Sequence, residues 1–94
     1  MPSVTRKGDL SSGHDNHPPT SLNTGSASVF INSLPCGRKG DSYLSHTDGV
    51  DTHVGSISSG SSTVFVNKLP IARVGDSISC SDTVAQGSPN VNAN

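Results

Sequence analysis

Four side chains of the kinds that bind transition metals lie at related places in this chain of 94 residues: His14, His46, His53 and Cys80. His14 and His46 each lie five residues after a Gly-Asp pair, and Cys80 lies four residues after a third such pair. His53 and Cys80 each precede a Gly-Ser pair by seven residues. Three imidazoles and one thiolate form a closed tetrahedral set that suits zinc. Because a closed set leaves no position for water or substrate, the sequence predicts a structural zinc site.

The fourth histidine, His17, lies three residues away from this register. We interpret His17 as a surface residue or as support for a ligand, with replacement of His14 as the alternative. A zinc ion with three protein ligands and one water, with Asp48 or Asp51 as the base, would instead make a small hydrolase. Zinc is the expected metal, although iron or cobalt can occupy the same kind of ligand set.

Other chemistry has less support in the sequence. A nucleophile formed by Cys80 with His53 and Asp82 would need a pocket and oxyanion donors, which this composition gives little means to build. The repeated Gly-Asp pairs could suggest calcium, but turn chemistry explains them more simply. Their aspartates are Asp9, Asp41 and Asp76.

An internal repeat determines where these residues must lie. Residues 25–41 and 60–76 are copies without a gap, identical at ten of seventeen positions. Such a repeat indicates one supersecondary unit used several times. Residues 6–9 repeat the close of the unit and residues 87–91 repeat its opening, so a third unit is divided between the two ends of a single domain, 1–94. In a stack of units, the connecting segments that carry the candidate ligands emerge at one end.

Each unit is predicted to be a small β-hairpin, running from Gly-Ser to Asn and then from Pro to Gly-Asp. Asn32 and Asn67 follow short β-prone runs and suit a turn, because asparagine tolerates left-handed backbone. Pro35 and Pro70 cannot donate to a ladder and belong at strand edges or starts. The intervals 10–24, 42–59 and 77–86 are predicted to be loops. No segment has a useful helical period, so the expected fold class is all-β.

The composition leaves little apolar material for a core, because 30% of the residues are hydrophobic and 3% are aromatic. A small fold of this kind usually needs a metal, a disulfide or a partner. The chain has no apolar run of membrane-spanning length and no signal peptide pattern. A reducing compartment is therefore expected, which disfavours a Cys36–Cys80 disulfide. The net charge of −1 and the lack of a basic stripe argue against nucleic-acid binding.

The second unit closes with Pro70-Ile71-Ala72-Arg73 and the first, in a more degenerate form, with Pro35-Cys36-Gly37-Arg38. These motifs resemble those of the PAAR-repeat family, which is named for Pro-Ala-Ala-Arg. The resemblance extends from Arg6 to Val91 and includes the Gly-His and Pro-Pro pairs of residues 13–19. The degenerate first motif and residues 91–94, which are more polar than the usual ending, depart from the family pattern, so the last strand is expected to be short or frayed.

The resemblance implies a small cone of short β-strands with pseudo-threefold symmetry and a structural zinc near its apex. It assigns the same four zinc ligands as the spacing: His14, His46, His53 and Cys80. It also implies a non-enzymatic, membrane-piercing tip that caps a trimeric β-helical spike with one copy per trimer and briefly contacts the outer membrane of the target cell. We expect a phage tail central spike, and hence the virion; a type VI secretion spike tip or adaptor is the alternative.

Overall fold

The computed structural model describes residues 1–94 and contains six short strands and no helix. The strands are β1 (Phe30–Ile31), β2 (Leu34–Pro35), β3 (His46–Thr47), β4 (Thr52–His53), β5 (Phe65–Val66) and β6 (Leu69–Pro70). They pair in sequence order as three antiparallel hairpins. The predicted all-β class is confirmed. None of the chain forms a helix long and apolar enough to cross a membrane.

The first and third hairpins are built on two-residue turns that need left-handed backbone. Asn32 and Ser33 have φ values of 54° and 68°, and Asn67 and Lys68 have 53° and 68°. Two successive left-handed residues make the type I′ turn, whose twist matches that of the flanking strands. The prediction that both asparagines occupy turns is therefore correct.

Lys68→Gly is expected to stabilise the protein by about 0.5–1 kcal/mol, because glycine adopts the left-handed conformation without the steric penalty that a side chain carries there. Urea denaturation of the purified protein measures this. Lys39→Gly is the matched control, since Lys39 does not have positive φ, and it should destabilise the protein. Equal destabilisation by both substitutions would contradict the turn assignment.

The hairpins differ from the prediction in length and in number. Each strand has two residues rather than a whole half-unit, and after the proline the chain also pairs with neighbouring units. Cys36, for example, bridges to Arg6, and Arg38 bridges to Ile71. The interval 42–59, predicted to be a loop, contains the β3–β4 hairpin, in which His46 pairs with His53.

Backbone hydrogen bonds show that the three units are related by pseudo-threefold symmetry. Equivalent bonds of 3.0 Å run from Cys36 N to Val29 O, from Ile71 N to Val64 O and from Val4 N to Val91 O. The last bond joins the two ends of the chain, so the third unit forms from both ends as predicted. At the centre, Thr5, Gly37 and Ala72 form a closed ring in which each N–H donates to the carbonyl of another member, at 3.0–3.1 Å.

The core consists of two apolar clusters in an elongated body of 37 × 23 × 21 Å. The upper cluster contains Leu22, Tyr43, Ile57, Ala72, Ile78 and Val84, with Cys80 packed against it. The lower cluster contains Val4, Cys36, Val66, Ile71 and Ala93, with Val29, Ile31, Val64 and Val91 against it. The candidate ligands therefore lie beyond the upper cluster, at what we call the ligand end. The β1–β2 and β5–β6 hairpins lie with the lower cluster, at the hairpin end.

The repeated Gly-Asp pairs close each unit through an ion pair. In the first copy, Arg38 N and Nε donate to Asp41 Oδ2 at 2.8 and 3.1 Å, and Arg38 Nη2 donates to Asp41 Oδ1 at 3.1 Å. Arg6 with Asp9 and Arg73 with Asp76 make the same contacts. Bidentate arginine–carboxylate pairs of this kind hold a turn in one geometry. The carboxylates thus serve turns, as the sequence indicates.

Candidate metal centre

The structure brings together all four of the side chains that the sequence singles out. The Nε2 atoms lie 3.2 Å apart for His14 and His46, 3.0 Å for His14 and His53, and 2.8 Å for His46 and His53. Cys80 Sγ lies 4.0 Å from His46 Nε2, and the four donor atoms all lie within 4.8 Å of one another. Nitrogens around a tetrahedral zinc are about 3.3 Å apart, given Zn–N bonds of about 2.0–2.1 Å. The three imidazole nitrogens therefore fit zinc after shifts of a few tenths of an ångström, and Cys80 Sγ lies near enough to approach as the fourth ligand.

Each imidazole is oriented by a hydrogen bond on its other nitrogen. His46 Nδ1 donates to the Pro18 carbonyl at 2.9 Å, and His53 Nδ1 donates to Asp51 Oδ2 at 3.1 Å. The His14 Nδ1 atom lies 3.5 Å from a carboxylate oxygen of Asp15, a longer contact. A proton on Nδ1 leaves Nε2 with a free lone pair, the state that binds metal.

The Nε2 atoms of the three histidines face one another at 2.8–3.2 Å. With the protons of His46 and His53 on Nδ1, the Nε2 atoms of these two residues present lone pairs that repel each other. A positive ion at the point of convergence would turn the repulsion into three coordinate bonds. The arrangement is therefore suited to holding a metal ion.

Cys80 completes the group from a tight loop. Ser81 has φ 72°, and Ile78 N donates to the Asp82 carbonyl at 2.9 Å, which folds the chain back around the thiol. Gly55 must lack a side chain here, because a Cβ would lie 2.6 Å from Cys80 Sγ. Burial raises the pKa of the Cys80 thiol, although a backbone hydrogen bond from Asp82 opposes the shift. The thiolate form thus needs a neighbouring cation.

His17 is buried, with 6% of its surface exposed, so its interpretation as a surface residue is wrong. Its ring stacks on that of His14, with centroids 4.7 Å apart, and lies 4.4 Å from that of His53. Its Nε2 donates to the Asp51 carbonyl at 3.0 Å, which turns it away from the convergent nitrogens. His17 also belongs to a second group of potential ligands, with Asp51 and His53. Its packing supports two of the candidate ligands.

The acidic residues considered for catalysis have other partners. Asp48 Oδ1 accepts hydrogen bonds from Val50 N and Asp51 N and so shapes the loop between β3 and β4. The hydrogen bonds from Asp51 and Val50, the largest causes, lower the pKa of Asp48. Asp82 Oδ1 accepts from Ser12 Oγ at 3.0 Å and from Thr83 N at 2.7 Å, which ties the Cys80 loop to the segment before His14. Its hydrogen bonds join loops rather than orient a histidine.

The repeat and the convergent donor atoms of the three histidines and Cys80 are features that can be compared with those of known protein families. The family model for the PAAR motif matches residues 47–94, just over half of the chain. The chain belongs to the PAAR motif family. No curated protein matches it. The match covers β4 to β6, His53 and Cys80, while His14 and His46 precede it.

Membership in the PAAR motif family supports a role at the tip of a spike, in a contractile injection or type VI secretion system. Proteins with this motif are structural tips rather than enzymes, and they associate with a spike protein. In this PAAR protein the His/Cys group is placed to bind a metal ion.

Proposed function

We propose that this chain is a zinc-stabilised tip that caps and sharpens a trimeric β-helical spike. The observation that carries the proposal is the convergence of His14, His46, His53 and Cys80 at one end of a PAAR fold, with donor atoms within 4.8 Å of one another. These four residues are the proposed ligands, and zinc is the proposed metal because three nitrogens and one thiolate form its usual closed set.

In this proposal, the role of the zinc ion is to stabilise the fold. The upper apolar cluster contains six buried residues, and beyond it lie loops that are joined mainly by polar contacts. Structural zinc contributes on the order of 10 kcal/mol to small folds, comparable to the whole stability of a domain. A bound ion would therefore stabilise an end of the molecule that has little hydrophobic core. With four protein ligands, the ion would have no open position for water or substrate and so would not be catalytic.

The hairpin end is the proposed docking surface. The sequence suggests Val29, Ile31, Val64 and Val66 for this role, but Val66 belongs to the lower cluster and the other three pack against it. The apolar side chains left exposed are Phe30 and Phe65, each 54% exposed, with Leu34 and Leu69, each 39% exposed. Their equal exposure follows from the repeat. Three quasi-equivalent units allow one copy of the chain to meet the three subunits of a spike trimer.

The double substitution Phe30→Asp with Phe65→Asp is expected to abolish docking, because each aspartate places a charge where an apolar contact is buried. Leu44→Asp is the matched control, since Leu44 is 49% exposed but lies next to the ligand end. Mass measurement of the complex should give one copy per trimer. Three copies per trimer, or docking that survives the double substitution and fails in Leu44→Asp, would overturn the docking surface.

The spike that the chain caps would belong either to a phage tail or to a type VI secretion system. We propose the phage tail central spike, with the chain in the virion and in transient contact with the outer membrane of the target cell. Electron microscopy of purified particles, with an antibody against the chain, tests this directly. Label at the end of a phage tail supports the proposal, and co-secretion with a type VI spike in place of such label contradicts it.

A further inference from the structure

Two of the three boundaries between units contain the same polar contact, built around an asparagine side chain. At the first, Asn67 Oδ1 accepts hydrogen bonds from Ser26 Oγ at 2.6 Å and from Arg38 Nη1 at 3.2 Å. The other end of the same carboxamide is also bound, since Asn67 Nδ2 donates to Ser28 Oγ at 2.9 Å. The neighbouring unit thus supplies two donors to the carboxamide oxygen and one acceptor to its NH₂ group.

The second boundary repeats this arrangement with different residues. Asn32 Oδ1 accepts from Ser88 Oγ at 2.6 Å and from Arg6 Nη1 at 3.1 Å, and Asn32 Nδ2 donates to Asn90 Oδ1 at 2.9 Å. The fold has therefore built the same receptor for a carboxamide twice. We call the serine, the arginine and the residue two positions after the serine a carboxamide station.

The third boundary has a complete station, formed by Ser61, Thr63 and Arg73. Ser61 Oγ accepts from Thr63 N at 3.1 Å and from Val64 N at 2.9 Å, as Ser26 Oγ does from the equivalent atoms of its own unit. Arg73 is held by Asp76 through Nε and Nη2. Its Nη1, which in the other two arginines binds the asparagine, makes no hydrogen bond within the chain.

Asn94 occupies the register position of the missing asparagine, yet it makes no hydrogen bond to the station. Asn32 and Asn67 reach their stations from left-handed turn conformations, with φ of 54° and 53°. Asn94 does not have positive φ, so its backbone does not present the side chain in the same way. The station at Ser61 therefore differs from the others chiefly in its occupant, and the Ser61 Oγ and Thr63 Oγ1 atoms lie 3.4 Å from each other instead of both binding an asparagine.

We propose that the Ser61–Thr63–Arg73 station binds the carboxamide of an asparagine or glutamine side chain on the spike protein. This inference rests on the proposed function, because the asparagines of the other two stations lie in turns at the hairpin end, where the spike would dock. The occupant's oxygen would accept from Ser61 Oγ and Arg73 Nη1, and its NH₂ group would donate to Thr63 Oγ1. Each spike trimer would then seat one of its three equivalent carboxamides.

A carboxylate fits this station less well. The charge of Arg73 is already paired with Asp76, whose Oδ1 lies 2.9 Å from Arg73 Nη2. A second carboxylate would lie close to the first, and like charges at short range repel each other. In agreement with this, both occupied stations hold a neutral amide beside an arginine–aspartate pair.

Acetamide is the probe that tests the station directly. Added to the zinc-loaded full chain, it should produce saturable NMR shifts of the Thr63 and Val64 amides and of the Arg73 Nε–H, with no comparable shifts at the other two stations. Thr63→Val, a substitution at an exposed residue, should weaken acetamide binding about fivefold, the effect of one hydrogen bond. Asn67→Gly keeps the left-handed turn and should open a second acetamide site at Ser26 and Arg38.

Four results would overturn this proposal. Tighter binding of acetate than of acetamide would make the station a simple anion site, and no saturable shift would show that it is no site. Tighter acetamide binding in Asn94→Ala would show that the chain's own asparagine is the occupant. With a spike trimer, Thr63→Val should also weaken docking about fivefold, and unchanged affinity would remove the assignment to the spike. One-to-one docking that persists in that case would leave the proposed function intact.

Discussion

Cys80→Ser is expected to release the zinc and to cause the largest loss of stability of any substitution considered for this chain. Serine is nearly isosteric with cysteine, so packing against the upper cluster is retained while the sulfur ligand is lost. Because zinc supplies on the order of 10 kcal/mol in such folds, loss of tight binding should cost several kcal/mol, about 5. His53→Ala should behave alike. Metal analysis and thermal denaturation of the purified variants measure both effects.

Cys36→Ser is the matched control for the loss of a thiol. Cys36 is fully buried in the lower cluster, and burial raises the pKa of its thiol to about 11, so it is an inert core residue. We expect this variant to lose about 1–3 kcal/mol through a buried polar group while keeping one zinc per chain. Full zinc content in Cys80→Ser, or zinc loss in Cys36→Ser, would show that the ligands are assigned wrongly.

Zinc affinity is expected to fall tenfold per pH unit as the pH drops below the Cys80 pKa, because the thiol must lose one proton to bind the metal. Burial raises that pKa above the ordinary value of a thiol, so the protein is already on this slope at neutral pH. Stability due to zinc is therefore present at high pH and is lost as the pH falls. Competition with a chromophoric chelator measures the affinity at each pH.

Cys80→His separates the thiol from the imidazoles in this titration. Its four nitrogen ligands can still hold zinc, but the tenfold slope between about pH 7 and pH 8.5 should disappear, since no thiol proton is released. In the unsubstituted protein, a strong chelator at neutral pH should reproduce the thermal destabilisation caused by acid. A melting temperature that is unchanged by both acid and chelator would show that zinc does not stabilise this fold.

The repeat itself determined most of what could be predicted. Ten identities in seventeen positions define the unit, and equivalent positions in a stack must lie at the same level. This is why the spacing alone selected the four side chains that converge. Asn32 and Asn67 were likewise assigned to turns because few other residue types tolerate left-handed backbone. Such inferences depend on local conformational preference and on the symmetry of a repeat, both of which are written in the sequence.

The tertiary structure alone decided the burial of His17 and the β3–β4 hairpin. The ring of His17 stacks on that of His14 across a local two-residue turn, but its burial also depends on His46 and His53, which reach it from distant parts of the sequence. The β3–β4 hairpin pairs His46 with His53 across a polar loop that has no alternating apolar pattern. An alternating apolar pattern arises when one face of a strand packs on a hydrophobic core. The β3–β4 hairpin packs on little core, so its sequence does not show the alternation that would predict a strand.

The third boundary between units lacks the asparagine contact of the other two, and it too separates what the sequence determines from what only the tertiary structure determines. The sequence places Ser61, Arg73 and Asn94 at the positions that form a hydrogen-bonded contact at the other two boundaries. Whether the asparagine reaches its partners depends on the backbone conformation at residue 94 and on a neighbouring unit that lies far away in sequence. Side chains are specified by the chain, but contacts between distant units are set only when folding brings those units together.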